Sequence, residues 1–284
     1  MFAIIGIVVV LGSVIGGFLM EKGNLHVLFQ PAEVVIIFGA ALGSFFIASP
    51  PKVVSLVAKN LPLIISSGGQ SKEKYLELLT LLYQLFSKIR KEGLISIESD
   101  IENPQKSPIF KKYSGILANH HAINFICDNL KVIITTNVPP HELDSLMELE
   151  IDTHHHESLT PSHSISKVAD ALPGLGIVAA VLGVVLTMQY VDSPPAVLGH
   201  KIGAALVGTF MGVLMCYGFV GPMATNLEHK AKEESIYYQV IKVALVAFVG
   251  GAAPQMAVEF GRRAIPAKEK PTFDELEKEL RKSK

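Results

Sequence analysis

Four long stretches without charged residues dominate the pattern of hydrophobic and polar positions along the chain. They run from Phe2 to Met20, Val34 to Ser49, Leu172 to Val191 and Ile202 to Pro222. The first has 19 residues, which as a helix covers about 28 Å, close to the thickness of a bilayer's hydrocarbon core. The second stretch is shorter, and Glu33 lies at its mouth. The pattern predicts four transmembrane helices in two hairpins, the first of them retained rather than cleaved as a signal peptide.

Outside these stretches the apolar residues recur at helical spacing. Between Glu73 and Ile89 they follow each other at steps of three and four, which is typical of an amphipathic helix. Thr272 and Glu275 have capping-box spacing and predict one short exposed helix near the end of the chain. The predicted fold class is an all-α integral membrane protein, with four transmembrane helices and a large helical cytoplasmic domain. We place its segments at 1–50 (helices one and two), 51–170 (cytoplasmic domain), 171–222 (helices three and four) and 223–284 (C-terminal cytoplasmic helix and tail).

Composition and charge agree with a membrane protein and orient it. The chain is 49% hydrophobic and only 18% charged, which is too apolar for an ordinary soluble domain. Its formal net charge of -1 gives no support for nucleic-acid binding. Of 25 lysines and arginines, only Lys22 and Lys201 fall in the two short loops between paired helices. By the positive-inside rule, both termini and the long loop are predicted to be cytoplasmic.

The sequence carries no motif for catalysis, a metal or a cofactor. Cys127 and Cys216 lie far apart and are interpreted as buried thiols. His154, His155 and His156 are adjacent, so in a helix they point in different directions, and we predict a polar surface patch rather than a metal site. We therefore expect neither an enzyme nor a bound cofactor.

The predicted membrane helices are rich in small residues. Pro173, Ala180 and Thr187 are spaced by seven along the third span, which places them on one face of a helix. Small residues allow membrane helices to approach closely, and threonine hydroxyls add hydrogen-bonding positions. Pro173 and Pro222 each leave a backbone carbonyl free near the cytoplasmic end of a span, so we interpret them as hinges.

Glycine pairs four residues apart occur in the first, second and fourth spans. In the fourth span, Thr209 lies next to one of these glycines. They are Gly12 and Gly16, Gly39 and Gly43, and Gly208 and Gly212. We assign the pairs of spans one and two to packing within the chain, and the face from Pro173 to Thr187 to a partner. None of the four apolar cores contains an ionisable side chain, so the chain is either a scaffold or one wall of an ion pathway whose titrating group belongs to another subunit.

Five motifs, in order along the chain, resemble the MotA family, the A subunits of bacterial flagellar stators. They are "QPAEVVIIFGAALGSF", "KIRKEGLISIESDIENP", "ALPGLGIVAAVLGVVLTM", "GTFMGVLMCYGFVGPMA" and "GGAAPQMAVEFGRRAIP". The resemblance implies a homo-pentamer around a dimer of B subunits (MotB), each of which supplies a membrane helix with an ion-binding aspartate. The resemblance further implies that together they form, in the bacterial inner membrane, a channel that converts ion motive force into torque on the rotor.

The resemblance also implies roles for individual residues. Arg90 and Glu98 match the family's charged contacts to the rotor switch protein, FliG. Position 180 is Ala where sodium-driven relatives typically carry Thr, which favours H⁺ over Na⁺ as the transported ion, although Thr187 and Thr209 offer oxygens.

Two alternative functions stay open at this point. An energiser of the ExbB and TolQ type drives outer-membrane processes with the same ion motive force, but resembles a three-span chain. A solute transporter would need a polar site at the membrane midplane within this chain, and the sequence shows none.

Overall fold

The computed structural model describes residues 2–65 and 69–282, which are helical and contain no strand. Their α-helices are α1 Phe2–Met20, α2 Leu25–Leu28, α3 Pro31–Ala48, α4 Pro51–Asn60, α5 Lys72–Glu92, α6 Glu98–Glu102, α7 Ser114–Leu117, α8 His120–Thr136, α9 Pro140–Thr187, α10 Pro195–Met215, α11 Gly221–Val249, α12 Pro254–Ala264 and α13 Phe273–Lys282. Short 3-10 turns follow α4, α5 and α9, and a further turn spans Phe110–Lys112. A π-helical segment, Cys216–Val220, joins α10 to α11.

Among the described residues, four helical stretches are long and apolar enough to cross a membrane, as the sequence predicts. They are Phe2–Met20, Leu25–Ala48, Pro140–Tyr190 and Pro195–Val249. The last two extend far beyond their apolar parts, and Pro161 and Pro173 both lie inside α9 without ending it. The fold class is therefore the predicted one, an all-α membrane protein with four spans. We refer to the four stretches as spans one to four.

The chain divides into two compact units. The membrane unit consists of Met1–Gly68 and Ser158–Lys230, and the second unit consists of Gly69–Glu157 and Ala231–Lys284. Helices α9 and α11 each contribute to both units.

The core of the membrane unit joins spans two, three and four. Ile37 and Ala41 of α3 are buried with Leu172 and Ala179 of α9 and with Cys216. Span one contributes no buried residue. Span one therefore touches the rest of the unit only through half-buried residues such as Ala3, whereas the other three spans share a packed centre.

The second unit is built around α5, whose predicted apolar face is buried. Leu78, Leu82 and Phe86 are fully buried, and the Phe86 ring stacks on Phe248 with 4.3 Å between ring centroids. Cys127 is also buried as a free thiol, as is Cys216 in the membrane unit, in agreement with the sequence interpretation. Burial raises the pKa of the Cys127 thiol to about 12, so it stays protonated and unreactive at neutral pH.

The ends of the helices follow local signals in the sequence. Gly93 ends α5 with φ +89°, a left-handed conformation that favours glycine. At α13 the Thr272 N–H donates to Glu275 Oε2 (2.7 Å) and the Glu275 N–H donates to Thr272 Oγ1 (3.2 Å), which confirms the capping box. The helix is not simply exposed, however, because Leu276 and Leu280 are buried.

The histidine run does not form a plain surface patch, so that part of the prediction is wrong. The ring of His154 packs edge-to-face against His121 and Tyr238, with centroid distances of 5.6 and 4.9 Å. The Nδ1 atom of His155 is buried and has no hydrogen-bond partner among the described residues. The run is partly enclosed because α9 lies against α8 and α11 within the second unit.

Candidate functional site

Spans three and four contact each other backbone to backbone. A Cβ atom on Gly176 would lie 2.7 Å from the carbonyl oxygen of Gly208, and one on Gly212 would lie 2.5 Å from the carbonyl oxygen of Leu172. Both distances are too short for a real carbon–oxygen contact, and the obstructing atoms are backbone. The small residues of these two spans therefore serve a close helix pair within the chain.

The glycine pairs of spans one and two have the opposite surroundings. Within the described part of the chain, a Cβ atom on Gly12, Gly16, Gly39 or Gly43 would meet nothing beyond its own helical turn within 4 Å. The sequence assigns these pairs to packing within the chain, and that assignment is wrong. A GxxxG motif indicates that another helix can pack closely against these glycines. It does not identify that helix, which can belong to the same chain or to a neighbouring one.

The line from Pro173 to Thr187 is largely covered in the single chain. Ala180 is 8% exposed and Thr187 is 2% exposed, whereas Pro173 is half-buried. The Ala180 backbone nitrogen would lie 3.1 Å from a Cβ on Gly208, so this part of the line faces span four. The Thr187 hydroxyl donates to the carbonyl of Gly183 at 2.8 Å, which leaves its oxygen lone pairs as acceptors.

The predicted hinge at Pro222 lies next to an irregular helix turn. Thr209 is half-buried in α10, and Pro222 is exposed. In the π-helical segment the Gly221 N–H donates to the Cys216 carbonyl, five residues back. Proline at 222 cannot donate to the preceding turn, and a π-bulge immediately before it is an arrangement often found at functional positions in helices.

A polar groove beside Pro222 escaped the sequence reasoning. It is lined by Asp170, Asn226 and His229 together with Cys216 and Pro222. The side-chain oxygen of Asn226 is buried without a hydrogen-bond partner in the described part of the chain. These residues come from α9 and α11, separated by more than fifty positions, so no local pattern could have joined them.

Glu33 is the residue that the sequence reasoning misplaced. Helix α3 begins at Pro31, ahead of the charge-free stretch, so that Glu33 lies in its first turn. The side chain is only 8% exposed, and its carboxylate contacts spans three and four. The charge-free stretches themselves contain no ionisable side chain, but the structure encloses the neighbouring carboxyl of Glu33 between spans three and four, because the start of an apolar run does not tell how deeply that helix end is inserted between its neighbours.

Arg90 and Glu98 are both exposed, at the end of α5 and the start of α6. Neither forms an ion pair with any residue that the structure describes. The segment that carries them is anchored by the buried side chain of Asp100, which is 3% exposed. Its carboxylate accepts from Lys88 Nζ (2.8 Å) and from the Ser107 hydroxyl (2.6 Å).

The chemistry available is that of a membrane helix pair with few polar groups. Within residues 2–65 and 69–282, no group of three or more His, Cys, Asp or Glu side chains is arranged to hold a metal ion. The polar elements of the membrane unit include the buried carboxyl of Glu33, the threonine hydroxyls of spans three and four, and the groove at Pro222. Such an arrangement suits the passage of a small ion along helices better than the binding of a large ligand.

Comparison with known proteins agrees with this arrangement over nearly the whole chain. Residues 4–93 match the Motility protein A N-terminal family, and residues 117–240 match the MotA/TolQ/ExbB proton channel family. The chain is 46% identical to Motility protein A of Escherichia coli K12, an alignment covering 99% of this chain and 95% of the relative. It is 38% identical to the chemotaxis protein LafT of Vibrio parahaemolyticus, covering 97% of each.

Solved structures share the fold. The structure of C. jejuni MotAB matches with a TM-score of 0.79 at 18% identity, covering 95% of this chain and 98% of that chain. The flagellar MotAB stator complex of Bacillus subtilis matches with a TM-score of 0.75 at 21% identity and the same coverages. With these likenesses in fold and the close full-length relatives, the chain belongs to the Motility protein A family, within the MotA/TolQ/ExbB proton channel proteins.

Proposed function

We propose that the chain is the A-type stator subunit of a flagellar motor, which forms a proton channel with a B subunit and converts ion motive force into torque on the rotor. The observation that carries this proposal is the 46% identity to a Motility protein A over nearly the full length of both chains. The family is one of channels and motility proteins, and the chain is not an enzyme. The match to the Motility protein A N-terminal family over residues 4–93 favours the stator over an ExbB or TolQ energiser.

The partner we propose is MotB, whose membrane helix supplies the ion-binding aspartate. The two solved relatives are MotAB complexes. A homo-pentamer of this chain around two B subunits is implied by the family resemblance. The open glycine faces of spans one and two support contacts between copies, because close-packing motifs that contact nothing within one chain are suited to a neighbour.

The rotor contact we propose is made by Arg90 and Glu98 with FliG. Both side chains are exposed, and Asp100 anchors their segment. Exposed charges add little affinity but set orientation and encounter rate. This suits a contact that is made and broken at each step of rotation.

The ion we propose is H⁺, carried across a bacterial inner membrane with both termini and the long loop in the cytoplasm. A proton needs only titratable groups and water, whereas Na⁺ needs several oxygen ligands. Ala180 offers no side-chain oxygen on the line where Thr187 lies, and Thr209 completes the polar lining of the pathway. Pro173 and Pro222 act as hinges that couple the spans to the cytoplasmic part.

The proposal is tested by purification with and without a B subunit. The chain is expressed alone and together with MotB of a close relative, and each preparation is analysed by size-exclusion chromatography and native mass spectrometry. We expect a defined complex of both subunits, and proton uptake by vesicles that contain it. A chain that never associates with a B subunit, in any lipid or detergent, would contradict the proposal.

A further inference from the structure

Glu33 combines deep burial with an incomplete set of hydrogen bonds. Its side chain is 8% exposed, and its Oε2 atom is buried without a hydrogen-bond partner among the described residues. Buried carboxyl groups in proteins almost always have hydrogen-bond partners, so an unpartnered oxygen calls for a functional explanation.

The carboxyl lies between the two close-packed spans. A Cβ on Gly208 would be 2.5 Å from Glu33 Oε2, and a Cβ on Gly183 would be 3.4 Å from Glu33 Oε1. The glycine at 208 thus provides space that any larger residue would take from the carboxyl. Two glycines on different helices flank the same side chain, so the pocket for Glu33 is formed by spans three and four together.

The Glu33 carboxyl lies beside Gly183, well inside the apolar part of span three. Gly183 lies eleven residues from Leu172, which corresponds to about 16 Å along the helix. A charged carboxylate at such a depth costs several kcal/mol unless it is paired, whereas a carboxyl that binds a proton is neutral there. A group that must gain a proton to be stable in place can pass that proton on when its surroundings change.

Among the described residues, no basic side chain forms an ion pair with Glu33 that would compensate a negative charge on its carboxylate. At the end of the spans where α3 begins, the titratable residues are Glu21 and Lys22 after α1, His26 on α2, Tyr190 and Asp192 after α9, and His200 and Lys201 on α10, and Asp170 lies further along α9. None of them forms a hydrogen bond or ion pair with Glu33 in residues 2–65 and 69–282. Lys201 instead lies over the Tyr190 ring, 4.7 Å from its centroid.

We propose that Glu33 is a proton-binding residue of the ion pathway, which receives a proton from the outer side of the membrane and passes it to the next acceptor toward the cytoplasm. The step is balanced: the carboxylate gains one proton to become a carboxylic acid and loses the same proton onward. It rests on the proposed function, in which the next acceptor is the aspartate of the B subunit. The chain thereby contributes a titrating group of its own, in addition to the wall of the pathway.

The experiment compares three variants in the full complex with the B subunit, reconstituted into vesicles. Glu33→Gln keeps the shape of the side chain but cannot exchange a proton, and Glu33→Asp keeps the exchangeable proton on a shorter side chain. Glu21→Gln is the matched control, because Glu21 is an exposed carboxylate at the end of span one. Proton flux is measured as a function of the outside pH.

We expect Glu33→Gln to lower proton flux by about tenfold or more, Glu33→Asp to retain part of it, and Glu21→Gln to match the unmodified complex. Wild-type flux from Glu33→Gln, or equal losses from Glu33→Gln and Glu33→Asp, would overturn the role of Glu33. If the unmodified complex itself conducts no protons, the proposed function fails instead.

Infrared spectroscopy keeps the proposal testable if Glu33→Gln does not assemble. The unmodified complex is expected to show a protonated-carboxyl stretching band that responds to outside pH and that shifts in the Glu33→Asp complex. The absence of any such shift would overturn the proposal.

Discussion

Both helical hairpins of the membrane unit carry closely spaced glycines, but the surroundings of these glycines are opposite. In spans three and four, Gly176 and Gly212 allow backbone to meet backbone. In spans one and two, Gly12 and Gly39 face open space within a single chain. The first set of glycines builds the fold of the subunit, and the second set is left available for contacts between subunits. A shared sequence motif thus serves folding in one hairpin and, in the proposed oligomer, contacts between subunits in the other.

The largest effect on folding is expected when a larger side chain replaces a glycine in the close contact between spans three and four. In Gly212→Leu the new Cβ would lie 2.5 Å from the carbonyl oxygen of Leu172, which cannot move aside cheaply because it is backbone. Overpacking of this kind costs about 1–3 kcal/mol or more, so we expect little folded protein. The measurement is the yield and thermal unfolding of the protein in detergent.

The matched variant is Gly12→Leu, whose Cβ would meet no neighbouring helix of the described chain within 4 Å. It should fold with an unchanged unfolding temperature but form fewer oligomers, as counted by native mass spectrometry. If Gly12→Leu and Gly212→Leu unfold alike, the contrast between the hairpins is wrong.

Charge reversal at the proposed rotor contact should abolish swimming without harming the protein. The Arg90→Glu, Glu98→Lys double variant changes two exposed side chains, so insertion, yield and binding of the B subunit are expected to be normal. Swimming is measured in a strain that lacks its own A subunit. The matched control reverses the exposed Lys131, which pairs locally with Asp128 and should leave swimming intact. Normal swimming of the double variant would remove the rotor contact from these two residues.

The proposed hinges should show a smaller effect, on torque rather than assembly. Pro173→Ala and Pro222→Ala each restore a backbone donor, and at 222 the new donor would compete with the π-helical turn formed by Cys216–Val220. We expect complete complexes with reduced rotation speed at high load, measured on tethered cells. Pro161→Ala is the control, since Pro161 also lies within α9 but outside the apolar part. Full torque from Pro173→Ala would leave that proline as a helix residue without a hinge role.

The smallest effect concerns an ion pair of the second unit. Hydrogen bonds from Arg262 at 2.7 Å hold the pKa of the Glu259 carboxyl below its ordinary value. A lowered pKa means that the pair stabilises the fold above the carboxyl's ordinary pKa of about 4 and that this stability is lost as pH falls through the folded-state pKa. Glu259→Gln should lower the unfolding temperature modestly at pH 7 and flatten its fall on acidification. If the unfolding temperatures of the unmodified protein and of Glu259→Gln fell in parallel as pH decreases, this prediction would be wrong.

Features decided by neighbouring residues were predictable from the sequence. The buried face of α5 follows from apolar residues at helical steps, and the cap at Thr272 follows from Glu275 three positions later. The four spans follow from length and hydropathy.

Features decided by distant neighbours were not predictable from residue patterns. The partner of each glycine pair depends on which helix lies opposite, and Glu33 is enclosed by Gly183 and Gly208, far along the chain. The same is true of the groove at Pro222, which is lined by Asp170 and His229 from different helices.

Proton-driven rotation is tested most directly by swimming speed across external sodium concentrations at fixed pH, with and without a protonophore. The chain is supplied with its B subunit to a strain that lacks stators. We predict a speed that does not change with sodium and that falls to zero with the protonophore. A speed that rises with sodium and survives the protonophore would contradict a proton pathway, and with it the significance given to Ala180.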